Sequence, residues 1–298
     1  MRCQGHPPYD WTPVDVENHG DSTDEQMGSK KKFWFSSDES RWLFKYVRLN
    51  DCGELGEDWA ECLVHVVARL LDLPSACVCL AKEGGRRGVA IKRVHGAEEQ
   101  LVHGNELLAE GVEGYDKAEA RNQLYTVENI HRSLQGFPAP EPYSCWSAFD
   151  LFAGYLMMDA LVAACDRHHE NWGLIQDGSG RRWLAPTFDH GNALGFAVRM
   201  EDVTRLLKDE AELVKWVRKG RNRYFRARPV EVAAEAFRLI AQKPREYLEG
   251  RLHDLDTGDV AVATRGMPEE VLSEERARLA IKIIETNRRR LSDAFSDG

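Results

Sequence analysis

Apolar residues at helical spacing mark Asp58 to Leu73 most clearly. Trp59, Leu63, Val66, Val67, Leu70 and Leu71 share a face, and Pro74 stops the run. Asp58 is the expected N-cap, with Glu61 three residues on as in a capping box. Ahead of this helix, alternation replaces the helical period. Phe33-Trp34-Phe35 and Arg41 to Arg48, where Trp42, Phe44 and Tyr46 alternate, predict a hairpin turning through Ser36 to Ser40. Cys77 to Ala81 and Arg87 to Val94 predict two strands around Glu83-Gly84-Gly85. The first hundred residues thus predict a small sheet with one helix. Beyond them the pattern turns helical. Ser147 to Ala164 is apolar on nearly every side, which predicts a buried helix. Trp172 to Gln176 and Arg181 to Ala185 predict a hairpin around Asp177-Gly178-Ser179-Gly180. Further helices are expected at about 200–219, 229–249 and 268–295. Residues 1–27, rich in Pro, Asp, Asn and Gly, predict a flexible arm. The expected class is α+β, with a small β-rich lobe over 28–97 and a larger, mainly helical lobe over 98–298.

Composition narrows the setting. Hydrophobic residues make up 43% and charged residues 30%, as in an ordinary globular protein. No run of about 18 apolar residues occurs, so no membrane partner is expected. The polar, acidic start up to Asp24 has no apolar stretch of the secretory-signal kind. Seven cysteines lack the Cys-x-x-Cys spacing of a zinc or redox site, and reduced thiols in a cytoplasmic setting are expected. With 40 basic and 49 acidic residues the net charge is −9, which gives no global affinity for nucleic acid. The charge is uneven, however. Residues 215–228 hold seven basic side chains in fourteen positions, interleaved with Trp216, Tyr224 and Phe225. Such a stretch could stack bases and bind phosphates, dock an acidic protein substrate, or form a solvated helix end.

Several polar residues fit phosphoryl transfer, which needs phosphates held, their charge neutralised and a hydroxyl aimed in line. Asp166 and Asn171 have the Asp-x-x-x-x-Asn spacing, between the buried helix and the hairpin. A carboxylate at Asp166 can accept the proton of an attacking hydroxyl. The amide oxygen of Asn171 can reach Mg2+, a hard cation that prefers oxygen ligands. The hairpin returns the chain so that Asp189, in Asp189-His190-Gly191, can converge on Asn171 and hold the same metal. Lys45, in an otherwise apolar strand, is the candidate for the ATP phosphates. Glu61 is its natural partner, a role that competes with capping. Gly28 and Ser29, followed by three lysines, could cover the phosphates with backbone N–H groups, and Ser29 is also a candidate phosphorylation site. His168-His169-Glu170 lacks the His-Glu-x-x-His spacing of zinc helices. His168 is therefore expected to tie the loop down on the nucleotide side, and Arg167 to form ion pairs.

Asp166-Arg167-His168-x-x-Asn171 together with Phe188-Asp189-His190-Gly191 resembles the HipA-like serine/threonine kinases. Gly28-Ser29, Leu43-Phe44-Lys45, Gly56 to Glu61 and His103 to Glu106 support the likeness, over roughly residues 28–290. Phosphoinositide kinases share a similar Asp-Arg-His-x-x-Asn loop. The resemblance implies a two-lobed protein-kinase-like fold, use of ATP and Mg2+, and a Ser/Thr acceptor in a protein. It also implies that Asp166 is the catalytic aspartate, that Asn171 and Asp189 hold magnesium, and that the segment after Val94 receives adenine. Small-molecule or lipid kinases of the same fold, and a nucleotide-binding pseudokinase, are the alternatives. The front of the chain is shorter than the extra N-terminal subdomain of toxin-type HipA proteins requires, so an antitoxin partner is not expected.

Overall fold

The computed structural model describes residues 7–17, 23–24, 31–51 and 53–296. The chain begins β1 (Val14–Asp15), β2 (Thr23–Asp24), β3 (Lys32–Ser37), β4 (Ser40–Tyr46), β5 (Leu49–Asn50), β6 (Gly53–Glu54), α1 (Glu57–Leu70), β7 (Val78–Glu83) and β8 (Arg86–Lys92). Six of these strands form one sheet in the order β1-β7-β8-β4-β3-β2. The alternation of β3 and β4 sorts its two faces. Phe35, Trp42, Phe44 and Tyr46 lie buried in one cluster with Val16, Cys79, Ala81 and Ala90, while Trp34, Leu43 and Lys45 face a cleft.

Next come β9 (Gln100–His103), α2 (Gly104–Gly111), α3 (Val127–Ser133) and α4 (Ala148–Leu161). The hairpin of β10 (Gly173–Gln176) and β11 (Arg182–Leu184) follows, and pairs with β9 in a second sheet, β11-β10-β9. The remainder is helical: α5 (Met200–Lys208), α6 (Glu210–Lys219), α7 (Pro229–Phe237), α8 (Gln242–Asp254), α9 (Thr257–Arg265) and α10 (Glu274–Ser296). Every residue of α4 is buried, and Ser147 and Asp150 close a capping box at its start. No helix among the described residues is long and apolar enough to cross a membrane.

Four expectations are corrected. First, α1 is capped at Gly56, not Asp58. Residue 58 is already helical, and its carboxylate takes both ends of the Arg87 guanidinium at 2.9 to 3.0 Å, charge-assisted bonds stronger than a cap. Arg87 also donates to the carbonyls of Glu270 and Val271, at 2.9 and 3.3 Å. Second, α1 is buried on every side over 57–68, because α9 covers the face that the sheet does not. Third, the two long helices expected at 200–219 and 229–249 are each broken. Asp209 leaves helical geometry and caps the N–H groups of Ala211 and Glu212. Pro244, which has no N–H to give, sits in the first turn of α8 rather than inside a continuous helix. Fourth, the described part of the expected arm is docked. Trp11 is 2% exposed, and its indole donates to the Ala263 carbonyl at 2.8 Å. Val14 and Asp15 pair in parallel with Ala81 and Lys82. One buried indole anchors a segment whose composition is otherwise that of a loop.

Candidate active site

Buried α4 ends on a left-handed residue. Ala163 has φ +54°, and the Ala164 N–H returns to the Asp159 carbonyl at 2.8 Å. The chain then enters the loop 165–172. Arg167 locks this loop: its guanidinium forks onto both Asp159 oxygens at 2.7 Å. It also donates to the Asn171 carbonyl at 2.7 Å and to Thr187 Oγ1 at 3.0 Å. Asn171 Nδ2 donates to the Asp166 carbonyl at 2.9 Å, so its amide oxygen remains for a further partner.

The β10–β11 hairpin brings the chain back to Asp189, whose φ is +64°. Asp tolerates this left-handed region better than most residues. The next N–H, of His190, is gripped by both Glu61 oxygens at 2.8 and 2.9 Å. Gly191 passes so close to α1 that a Cβ there would lie 3.1 Å from the Glu57 carbonyl. Lys45 Nζ meets Asp189 Oδ1 at 2.9 Å. Lys45 thus forms an ion pair with Asp189, and Glu61, whose charge also acts on Lys45, holds the backbone that presents Asp189. Burial works against the charge of Lys45, but Asp189, Glu61 and Glu57 outweigh it and raise its pKa.

Lys45, Asp166, His168, Asn171 and Asp189 line one cleft of about 500 Å³, whose apolar wall includes Leu43, Ile91, Val94 and Leu101. Gly28 and Ser29 lie outside the described residues. His168 ties down its own loop, its Nδ1 accepting the Glu170 N–H at 3.3 Å. Burial lowers its pKa, while Asp166 and Asp189 pull the other way. His190 is fully buried, which pushes its pKa well down, and its Nε2 is 3.0 Å from Thr187 Oγ1. Asp189 and Asn171 supply one carboxylate and one amide oxygen. Among the described residues no three His, Cys, Asp or Glu side chains gather into a metal cage. That donor set fits Mg2+ delivered on phosphates, which needs only one or two protein oxygens.

Three residues of this site escaped sequence reasoning. Asp159 lies within the apolar run of α4, and its charge there was the one available signal. Asn192 donates through Nδ2 to Asp166 Oδ2 and accepts from Arg48 at 3.2 Å. Tyr224, in the basic stretch, lines the same cleft as Asp166, whose charge adds to burial in raising the pKa of the phenol, and its ring lies 5.0 Å from that of His168.

No protein-family model matches the chain, and no curated protein matches it in sequence. Solved structures do. The proinflammatory kinase CtkA of Helicobacter pylori superposes with a TM-score of 0.71 at 15% identity, over 96% of this chain and 98% of that one. HipA of Shewanella oneidensis, in complex with HipB and operator DNA, gives 0.47 at 12% identity, over 97% of this chain and 70% of its own. The aminoglycoside phosphotransferase APH(4)-Ia gives 0.28 at 13% identity, over 92% and 95%. The likeness to CtkA, spanning nearly the whole of both chains, shows that this chain has the two-lobed kinase fold implied by its resemblance to HipA-like kinases.

Proposed function

We propose that the chain transfers the γ-phosphoryl group of ATP to a Ser or Thr hydroxyl of a protein. The observation that carries this reading is the Lys45–Asp189 ion pair facing Asp166 and Asn171 across one cleft. Residues 28–97 and 98–298 act as the two lobes, in a cytoplasmic protein. Adenine lies against the apolar wall near Val94, and Gly28, Ser29 and Lys45 contact the phosphates. Asn171 and Asp189 hold Mg2+, which when bound neutralises phosphate charge. The acceptor oxygen bonds to the γ-phosphorus as the bond from phosphorus to the β–γ bridging oxygen breaks, and ADP leaves. The hydroxyl proton passes to Asp166, which Asn192 orients through one of its carboxylate oxygens.

Labelled ATP added with a cell lysate tests the acceptor class: label must reach a protein band, and label confined to small molecules overturns a protein acceptor. Asp166→Asn should slow transfer by about 10²–10⁴-fold with nucleotide binding nearly intact. Asp189→Asn should instead weaken magnesium-dependent nucleotide binding. Parental turnover in both variants would refute these roles for Asp166 and Asp189.

A further inference from the structure

The stretch from Lys215 to Arg228 has seven basic residues and no acidic one, and it is seated on the loop that carries Asp166. A Cβ at Gly220 would lie 3.4 Å from Cys165 Sγ. Asn222, 4% exposed, donates to the Arg167 carbonyl at 3.3 Å and accepts the N–H groups of Tyr224 and Phe225 at 2.9 and 3.1 Å. A bridge between Asn222 and Ala227 closes the turn, and Phe225 packs on Tyr125 with ring centroids 4.6 Å apart. Arg221 donates to the Arg226 carbonyl at 2.6 Å and Arg226 to the Arg121 carbonyl at 3.0 Å, so the turn is well anchored, and its Tyr224 lines the cleft that holds Asp166.

Beside this turn lies a pocket of about 370 Å³, separate from the nucleotide cleft and lined by Lys215, Arg218, Lys219, Arg221 and Arg228. Half-buried Arg290 is close by, its pKa lowered by burial and then by Arg218 and Arg228. Glu231 faces Arg228 and Glu212 faces Lys215. Among the described residues no carboxylate pairs with Arg218, Lys219 or Arg223. In a chain of net charge −9, this positive charge is concentrated next to the place an acceptor must reach.

We propose that this surface selects protein substrates with an acidic segment flanking the acceptor residue. The carboxylates of that segment seat in the pocket around Arg218 and Lys219, and the acceptor hydroxyl reaches Asp166 past Tyr224, which lines the same cleft. The proposal rests on the phosphotransferase reading above and names its substrate class. A peptide fits better than nucleic acid, because the positive charge surrounds one pocket instead of tracking a long stripe, and the acidic remainder of the chain repels an extended polyanion.

Two Ser-containing peptides, one flanked by Glu and Asp and one by Gln and Asn, test the proposal. The parent should bind and phosphorylate the acidic peptide preferentially. Exposed Arg218→Glu with Lys219→Glu should raise KM for that peptide about tenfold or more while leaving kcat and the KM for ATP unchanged. Equal melting temperatures of parent and variant establish that both are folded. Binding of the same peptides, read by fluorescence anisotropy in Asp166→Asn, separates the two readings. Acidic-peptide binding without transfer by the parent leaves the docking surface standing and removes the kinase. Transfer without charge preference, an unchanged KM in the double variant, or displacement of the peptide by a single-stranded oligonucleotide at lower concentration overturns the docking surface.

Discussion

The Arg167 guanidinium joins the helix that ends before the site, the loop that carries Asp166 and the segment that carries Asp189, through Asp159, the Asn171 carbonyl and Thr187. The pair with Asp159 is buried on both sides, at 3% and 7% side-chain exposure. Arg167→Met strands that carboxylate without a counter-charge and should cost about 3–5 kcal/mol in urea unfolding. Adding Asp159→Leu should recover most of that stability but not activity, because Asn171 and Thr187 still lack their donor. This residue-scale wiring was legible in part. Asp166, Asn171 and Asp189 stand out because phosphoryl transfer constrains both residue type and spacing. Asp159 and Asn192 do not, since each acts through another side chain and belongs to no spacing rule. Nor could this bond of Glu61 be assigned by spacing alone, because it goes to the backbone N–H of His190, and any residue but proline supplies one.

At the scale of elements, helices α3 and α7 meet across a carboxyl pair. Burial, and then the neighbouring Glu128, push Glu235 up to about 7 from its ordinary 4.5, with Arg238 acting in the opposite direction. The folded protein then holds this proton more tightly than the unfolded chain does. The resulting stabilisation is complete below about pH 4.5 and is lost as pH rises through about 7. Melting temperatures recorded across that window should fall with rising pH in the parent, and Glu235→Gln should flatten the decline. Elements with a strong period were readable beforehand: α1, α4 and the β3–β4 and β10–β11 hairpins lie within a few residues of expectation. Short helices were not. Helices α2, α3 and α9 have at most nine residues, too few turns for an apolar stripe to emerge. The break at Asp209 depends on a side chain choosing two backbone N–H groups, which composition does not reveal.

Across the whole molecule, the described front segment touches both the sheet and the last helices, through Val14–Asp15 on β7 and Trp11 on α9. Trp11→Ala should cost about 3–5 kcal/mol, and chemical denaturation should remain a single transition if the sheet and helical parts unfold together. A further tie between these parts is Arg87, which grips Asp58 of α1 and the carbonyls of Glu270 and Val271 at once. Swinging α1 outward in this chain would bare the Asp58 carboxylate, release His190 from Glu61 and hydrate the entire stretch from 57 to 68. An effector's coupling energy of about 1–3 kcal/mol is too small to drive that. Under the function proposed above, a switch is therefore expected to leave α1 in place and to act where the acceptor enters the cleft.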